Sequence, residues 1–168
     1  MLSTELLIEA YGRVRGLVHT VLKDASIEVL TFRVDPEANT IAWLVWHLAR
    51  VQDDHIADLA GDEQVWTGGG WADRFDLPFD PAATGYGQSA AEVAAVRPDA
   101  TLLEGYHEAV HTRTVEYLRT LSEADFARIV DQSWAQQRTL AGRLRSLPTD
   151  DPHPPHSAPT GSEPPTRR

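Results

Sequence analysis

Apolar residues along this chain recur at helical rather than strand spacing. Ile41, Leu44, Val45, Leu48, Val51, Ile56 and Leu59 mark one face of a long helix, and Asn39 or Thr40 stands where its first turn needs a cap. Before it, Ser3 or Thr4 is followed by Leu6, Leu7, Ala10, Val14, Leu17, Val18, Val21 and Leu22, which predicts a first helix of about five turns. Val34-Asp35-Pro36 interrupts the chain between the two, so they are expected to be antiparallel neighbours. A third long helix carries Leu102, Leu103, Tyr106, Val110, Tyr117, Leu118 and Leu121, after a break at Arg97-Pro98-Asp99. No stretch alternates with period two for long enough to predict a sheet, and no internal repeat is visible.

The segments between these helices carry their own signals. After Gly61 the pattern dissolves into Gly68-Gly69-Gly70-Trp71, Leu77-Pro78-Phe79-Asp80-Pro81 and Gly85-Tyr86-Gly87. A connection this long in a compact domain is often a functional lid, with Trp66, Trp71, Phe75, Phe79 and Tyr86 either pinning it over the bundle or filling core. The glycine triplet does not read as a nucleotide loop, because no strand precedes it and no Lys-Ser/Thr pair follows. Ser89-Ala90-Ala91-Glu92 is a capping box for a short helix, and Ser122-Glu123-Ala124-Asp125 caps another short segment. Leu140, Leu144 and Leu147 begin a fourth bundle helix that Pro148 stops, giving a helical domain over residues 1–147. Residues 148–168 hold seven of the eleven prolines, and that density of fixed φ and missing amide donors predicts a disordered tail.

Composition narrows the chemistry. The 168 residues are 42% apolar, enough for one core, and the net charge of −10 disfavours nucleic acid and anionic membranes as partners. Cysteine is absent, so disulfides, thiolate zinc sites and a cysteine nucleophile are excluded, and any thiol must arrive as a cosubstrate. No apolar signal core and no run of membrane-spanning length stands out, which predicts a cytoplasmic protein.

Histidines are the candidate functional groups. His47 lies on the flank of the second helix's apolar stripe, where a bundle places a neighbouring helix, and there it could hold a metal or be a hydrogen-bonded boundary residue. His55 lies nearer the middle of the stripe, so pattern alone prefers His55 as the inward one; His19 reads as surface or boundary. His107-Glu108-Ala109-Val110-His111 matches the HExxH pattern in which two histidines one turn apart bind zinc and the glutamate activates water. No Gly-x-x-His follows and no sheet edge is expected to align a peptide, so His107 and His111 read first as boundary side chains, with His111 turned further outward, and a zinc hydrolase as a minor alternative. His153 and His156 sit in the proline-rich tail and read as solvated.

From Leu6 to about Arg145 the chain resembles the DinB-like superfamily, in the branch of mycothiol-dependent maleylpyruvate isomerase. The residues that carry the resemblance are Asn39-Thr40-Ile41-Ala42-Trp43-Leu44-Val45-Trp46-His47-Leu48, Val51-Gln52-Asp53-Asp54-His55, Gly69-Gly70-Trp71 with Arg74-Phe75, and Tyr106-His107-Glu108-Ala109-Val110-His111. The resemblance implies an all-α four-helix bundle with a divalent metal, zinc, held by one histidine of the second helix and two ligands of the last. His47 matches the first ligand, with His55, His107 and His111 as alternatives; Asp54 and Glu108 are the candidates to orient ligands or accept a proton. It further implies a transferase or isomerase that uses a low-molecular-weight thiol of the mycothiol type against a small electrophile. The expected last-helix ligand pair is missing from this sequence, and the change of composition near Arg145 is what a shifted reading frame would produce. Loss of that helix would leave apolar stripes uncovered and predicts, as the alternative, a non-catalytic bundle that forms a homodimer.

Overall fold

The computed structural model describes residues 3–127, 129–131, 138–140 and 143–144. Seven α-helices are found among them: α1 Ser3–Leu22, α2 Ile27–Leu30, α3 Ile41–Ala60, α4 Val65–Gly68, α5 Trp71–Phe75, α6 Ala90–Ala95 and α7 Ala100–Thr120. A 3₁₀ turn at Asp125–Ala127 follows, and then two short antiparallel strands, β1 Ile129–Asp131 and β2 Arg138–Thr139. The fold is all-α, as expected. The small strand pair was not foreseen, because three residues against two are too few to show a period of two.

Local chemistry sets the helix ends. Thr40 caps α3 through its side chain, which accepts from the Trp43 amide at 3.0 Å. Gly61 ends the helix at φ 71°, where its lack of a Cβ removes the penalty of the left-handed conformation. Ser89 and Glu92 form the expected capping box on α6, and Asp99 caps α7 by accepting from Leu102 N at 2.8 Å.

The backbone of α7 lies against both α1 and α3 and is the element the bundle closes on. The expected direct pairing of α1 with α3 is not among the main backbone contacts of the described residues. Residues 23–40, which include α2, form a connection too long to force neighbours together as a short αα turn does. The larger core joins Val18 and Leu22 of α1 to Ala42, Trp43, Trp46 and Ala49 of α3 and to Leu103, Tyr106 and Val110 of α7. At the other end Tyr11, Val51, Ile56, Leu118, Phe126, Leu140 and Leu144 form a second cluster. Leu140 and Leu144 are both fully buried, and the Tyr11 hydroxyl donates to the Leu144 carbonyl at 2.9 Å. The expected continuation of a fourth helix through Leu147, the boundary at residue 147, the disordered tail and the histidines at 153 and 156 lie outside the described residues.

Helix α3 departs most from a one-face reading. Ala42, Trp43, Val45, Trp46, His47, Ala49, Arg50, Val51, Gln52, Asp53, Ile56 and Ala57 are all buried, whereas Leu44, counted in the apolar stripe, is 44% exposed. The cause is the connection over residues 61–87, which folds back on the face of α3 that α7 leaves open. Among the described residues no helix is long and apolar enough to cross a membrane.

Candidate functional site

Residues 83–88 close over the first half of α3. His47 is buried there with its ring stacked on Trp43, centroids 4.6 Å apart, and met edge-on by Tyr86 at 5.2 Å. Its Nδ1 lies 2.5 Å from the Thr84 carbonyl oxygen. A carbonyl can only accept, so Nδ1 carries the proton and the lone pair of the neutral ring is on Nε2. Trp43 Nε1 donates to the Gln88 side-chain oxygen at 2.7 Å, which fixes the stack from the other end. Gly85 makes the closure possible: its φ is 107°, and a Cβ there would stand 2.5 Å from His47 Nδ1.

The next two turns of α3 anchor the connection. Asp53, 2% exposed, accepts from the Val65 amide at 2.8 Å, the Trp66 amide at 2.7 Å and the Tyr106 hydroxyl at 2.8 Å. Arg50, also buried, stands 3.8 Å from the same carboxylate, lies over the Trp66 ring, and donates to the Gln64 side chain and the Ala83 carbonyl. Burial pushes the Asp53 carboxyl up, while its three hydrogen bonds and Arg50 hold it down; the upward effect is the larger. Tyr106 is pushed well above the ordinary phenol range, first by burial and then by the Asp53 charge. Trp66 is buried and donates from Nε1 to the Pro81 carbonyl, and Phe75 packs on it edge-on. Of the five aromatic residues expected to pin the connection, Trp66 and Phe75 are core and Tyr86 is half exposed.

The other candidates are engaged elsewhere. Asp54 accepts from the Gln64 amide at 2.7 Å and so supports the anchor. His55 is only partly buried, contrary to the pattern's preference, and its Nδ1 accepts from Arg143 Nε at 3.2 Å. His107 is 3% exposed, deeper than a boundary residue, with Nε2 unpartnered; His111 is partly buried with Nδ1 unpartnered. Glu108 pairs with Arg15 of α1 at 2.6 Å, which holds its carboxyl below the usual range. His19 is exposed, as expected, and meets Glu104 at 2.5 Å. Among the described residues no three His, Asp or Glu side chains converge as a metal ion would need. His47 therefore fits a metal ligand singly, and the described residues do not complete a set around it.

Sequence reasoning gave no role to Arg50, Asp53, Gln52 or Thr114, although Gln52 and Asp53 lie in the run that carries the resemblance. Gln52 donates to Thr114 Oγ1 at 2.7 Å in the α3–α7 interface. The available signal was Arg50 and Asp53 at i, i+3 on the same face as Trp46 and Ala57, an ion-pair spacing on a helix flank.

The comparisons agree with this architecture. The family model for the DinB superfamily matches residues 10–151, and the chain belongs to that superfamily. A solved structure, the crystal structure of the conserved protein of locus from Enterococcus faecalis, superposes with a TM-score of 0.82 at 25% identity, over 89% of this chain and 88% of that one. No curated protein matches.

Proposed function

We propose that this chain is a thiol-using transferase or isomerase of the mycothiol-dependent branch of the superfamily, with His47 as the side chain its chemistry is built around. The observation that supports this is the bond from His47 Nδ1 to the Thr84 carbonyl, which fixes ring and tautomer so that Nε2 is the basic nitrogen. Metal-binding histidines are oriented by such an outer hydrogen bond. The cation would be zinc, which when bound favours the thiolate of a small thiol near neutral pH. The chain has no cysteine, so that thiol is a cosubstrate, and an electrophile is the second substrate. Among the described residues His47 is the one imidazole at this site, and a single imidazole binds zinc loosely, since catalytic sites commonly supply three protein ligands. Zinc should therefore exchange freely and activity should need it in the buffer.

The test is the rate at which mycothiol is conjugated to 1-chloro-2,4-dinitrobenzene by untagged protein, with and without zinc, for wild type and His47→Ala. A zinc-dependent rate absent from the variant is the expected result. Equal rates in both proteins, or none in either, would end the proposal.

A second reading, a non-catalytic homodimer, draws on exposed apolar side chains. Leu6, Leu17 and Val21 follow one stripe of α1 and are 59%, 67% and 47% exposed, and Val29, Phe32 and Val34 add to them. Light scattering decides it: a monomer at assay concentrations would remove this reading.

A further inference from the structure

Residues 83–88 run antiparallel to α3, and side chains of that helix take hold of them in order. Trp43 donates to the Gln88 side chain at 2.7 Å, His47 to the Thr84 carbonyl at 2.5 Å, and Arg50, from Nε, to the Ala83 carbonyl at 3.2 Å. His47 and Arg50 are i, i+3 neighbours on one face of the helix, and the carbonyls they grip are consecutive.

The segment does not set the direction of those two carbonyls by itself. Residues 83 and 84 belong to no helix or strand, and among the described residues neither carbonyl accepts a backbone amide. A peptide group is planar, so a hold on the Ala83 carbonyl also fixes the Thr84 amide. Only the two dihedrals of Thr84 then separate that plane from the carbonyl that meets His47. On the far side stands Gly85 at φ 107°, a residue whose backbone freedom restrains its neighbour little.

Arg50 can serve as the fixed point because it is held on every side. It is fully buried, Nη1 donates to the Gln64 side-chain oxygen at 2.8 Å, the guanidinium lies 4.9 Å over the Trp66 ring, and the Asp53 carboxylate stands 3.8 Å away. A planar fork held at one nitrogen is aimed at the others as well.

We infer that Arg50 is the positioning residue of the His47 site: through Ala83 it aims the Thr84 carbonyl at Nδ1, and so selects the tautomer whose lone pair is on Nε2. This role rests on His47 as the working side chain of the proposed function. The tautomer, however, is read with no metal or thiol present, so either reading can fail without the other.

The experiment compares the ring nitrogen shifts of His47 at pH 7, without metal, in uniformly ¹⁵N-labelled full-length wild type, Arg50→Lys and Leu118→Ala. Lysine keeps a charge beside Asp53 but has no fork to reach Ala83 and Gln64 together. Leu118 is buried in the cluster at the other end of the bundle, so its truncation lowers stability without touching the segment over His47. Wild type and Leu118→Ala should each show Nδ1 protonated and Nε2 unprotonated, whereas Arg50→Lys should show the intermediate shifts of a tautomer mixture at both nitrogens. If Arg50→Lys does not fold, Gln64→Ala, which frees the same guanidinium at Nη1, takes its place with the same expectation. A single Nδ1-protonated tautomer in the variant, or the same mixture in Leu118→Ala, would overturn the role of Arg50 and leave that of His47 standing. A wild-type ring protonated on Nε2 would overturn both.

Discussion

Acid should weaken this bundle through His107 as the pH falls below about 6.5. Burial pushes the ring down from 6.5 to about 4, with the charges of His111 and Arg15 adding to the effect and Glu108 opposing it. A base whose folded-state value is depressed costs no stability above its unfolded value. As the pH falls, the unfolded chain takes up a proton that the folded chain refuses, and stability is lost from about pH 6.5 downward. Between pH 7 and pH 5 the linkage integral comes to about 2 kcal/mol for this one group. His111 is also shifted down by burial and pushes in the same direction. Asp53, shifted up, pushes the other way. Both are common to the wild type and His107→Leu, which removes the titration while filling the space with an apolar side chain. Urea unfolding of both proteins at pH 7 and pH 5 isolates His107 as the difference of differences. The variant should lose about 2 kcal/mol less than the wild type over that interval. An equal loss, or a His107 ring that titrates near 6.5 in the folded protein, would refute the argument.

Three further substitutions test two positions around the candidate site and one on α1. Asp53→Asn leaves Arg50 buried beside a neutral amide and sets an NH₂ or a single oxygen against three donors, so it should cost about 3–5 kcal/mol in urea unfolding. Gly85→Ala forces a side chain into φ 107° and into contact with His47, and should destabilise by about 1–3 kcal/mol while displacing the His47 ring signals. Gly12→Ala should stabilise by about 0.5–1 kcal/mol, because Gly12 lies within α1 with open space where its Cβ would be; a lower melting temperature would contradict this.

Much of the fold was legible from local rules. Thr40 and the Ser89–Glu92 box mark helix starts by chemistry that acts within three residues, and both are found capping as expected; Asp99, read only as part of a break, caps α7 by the same chemistry. The run around His47 identified the superfamily. What periodicity could not convey was the burial of α3 on a second face, because the covering segment comes from residues 61–87 and its contacts are not local. Arg50 and Asp53 are the buried anchor of that segment, a role that no local rule assigns to them. For the same reason His55, central to the stripe, is less buried than His47 on its flank. His107 looked like a boundary side chain because one helix face does not reveal how closely the neighbouring helix approaches; α1 packs against it.

Nitrogen chemical shifts of the His47 ring test the central claim most directly. In uniformly ¹⁵N-labelled full-length protein at pH 7, long-range proton–nitrogen correlation should show Nδ1 protonated and Nε2 unprotonated. On zinc addition the Nε2 resonance should move in fast exchange, and His47→Ala should abolish the zinc response assigned to that ring. A ring protonated on Nε2 alone, or an Nε2 that does not respond to zinc, would contradict the account.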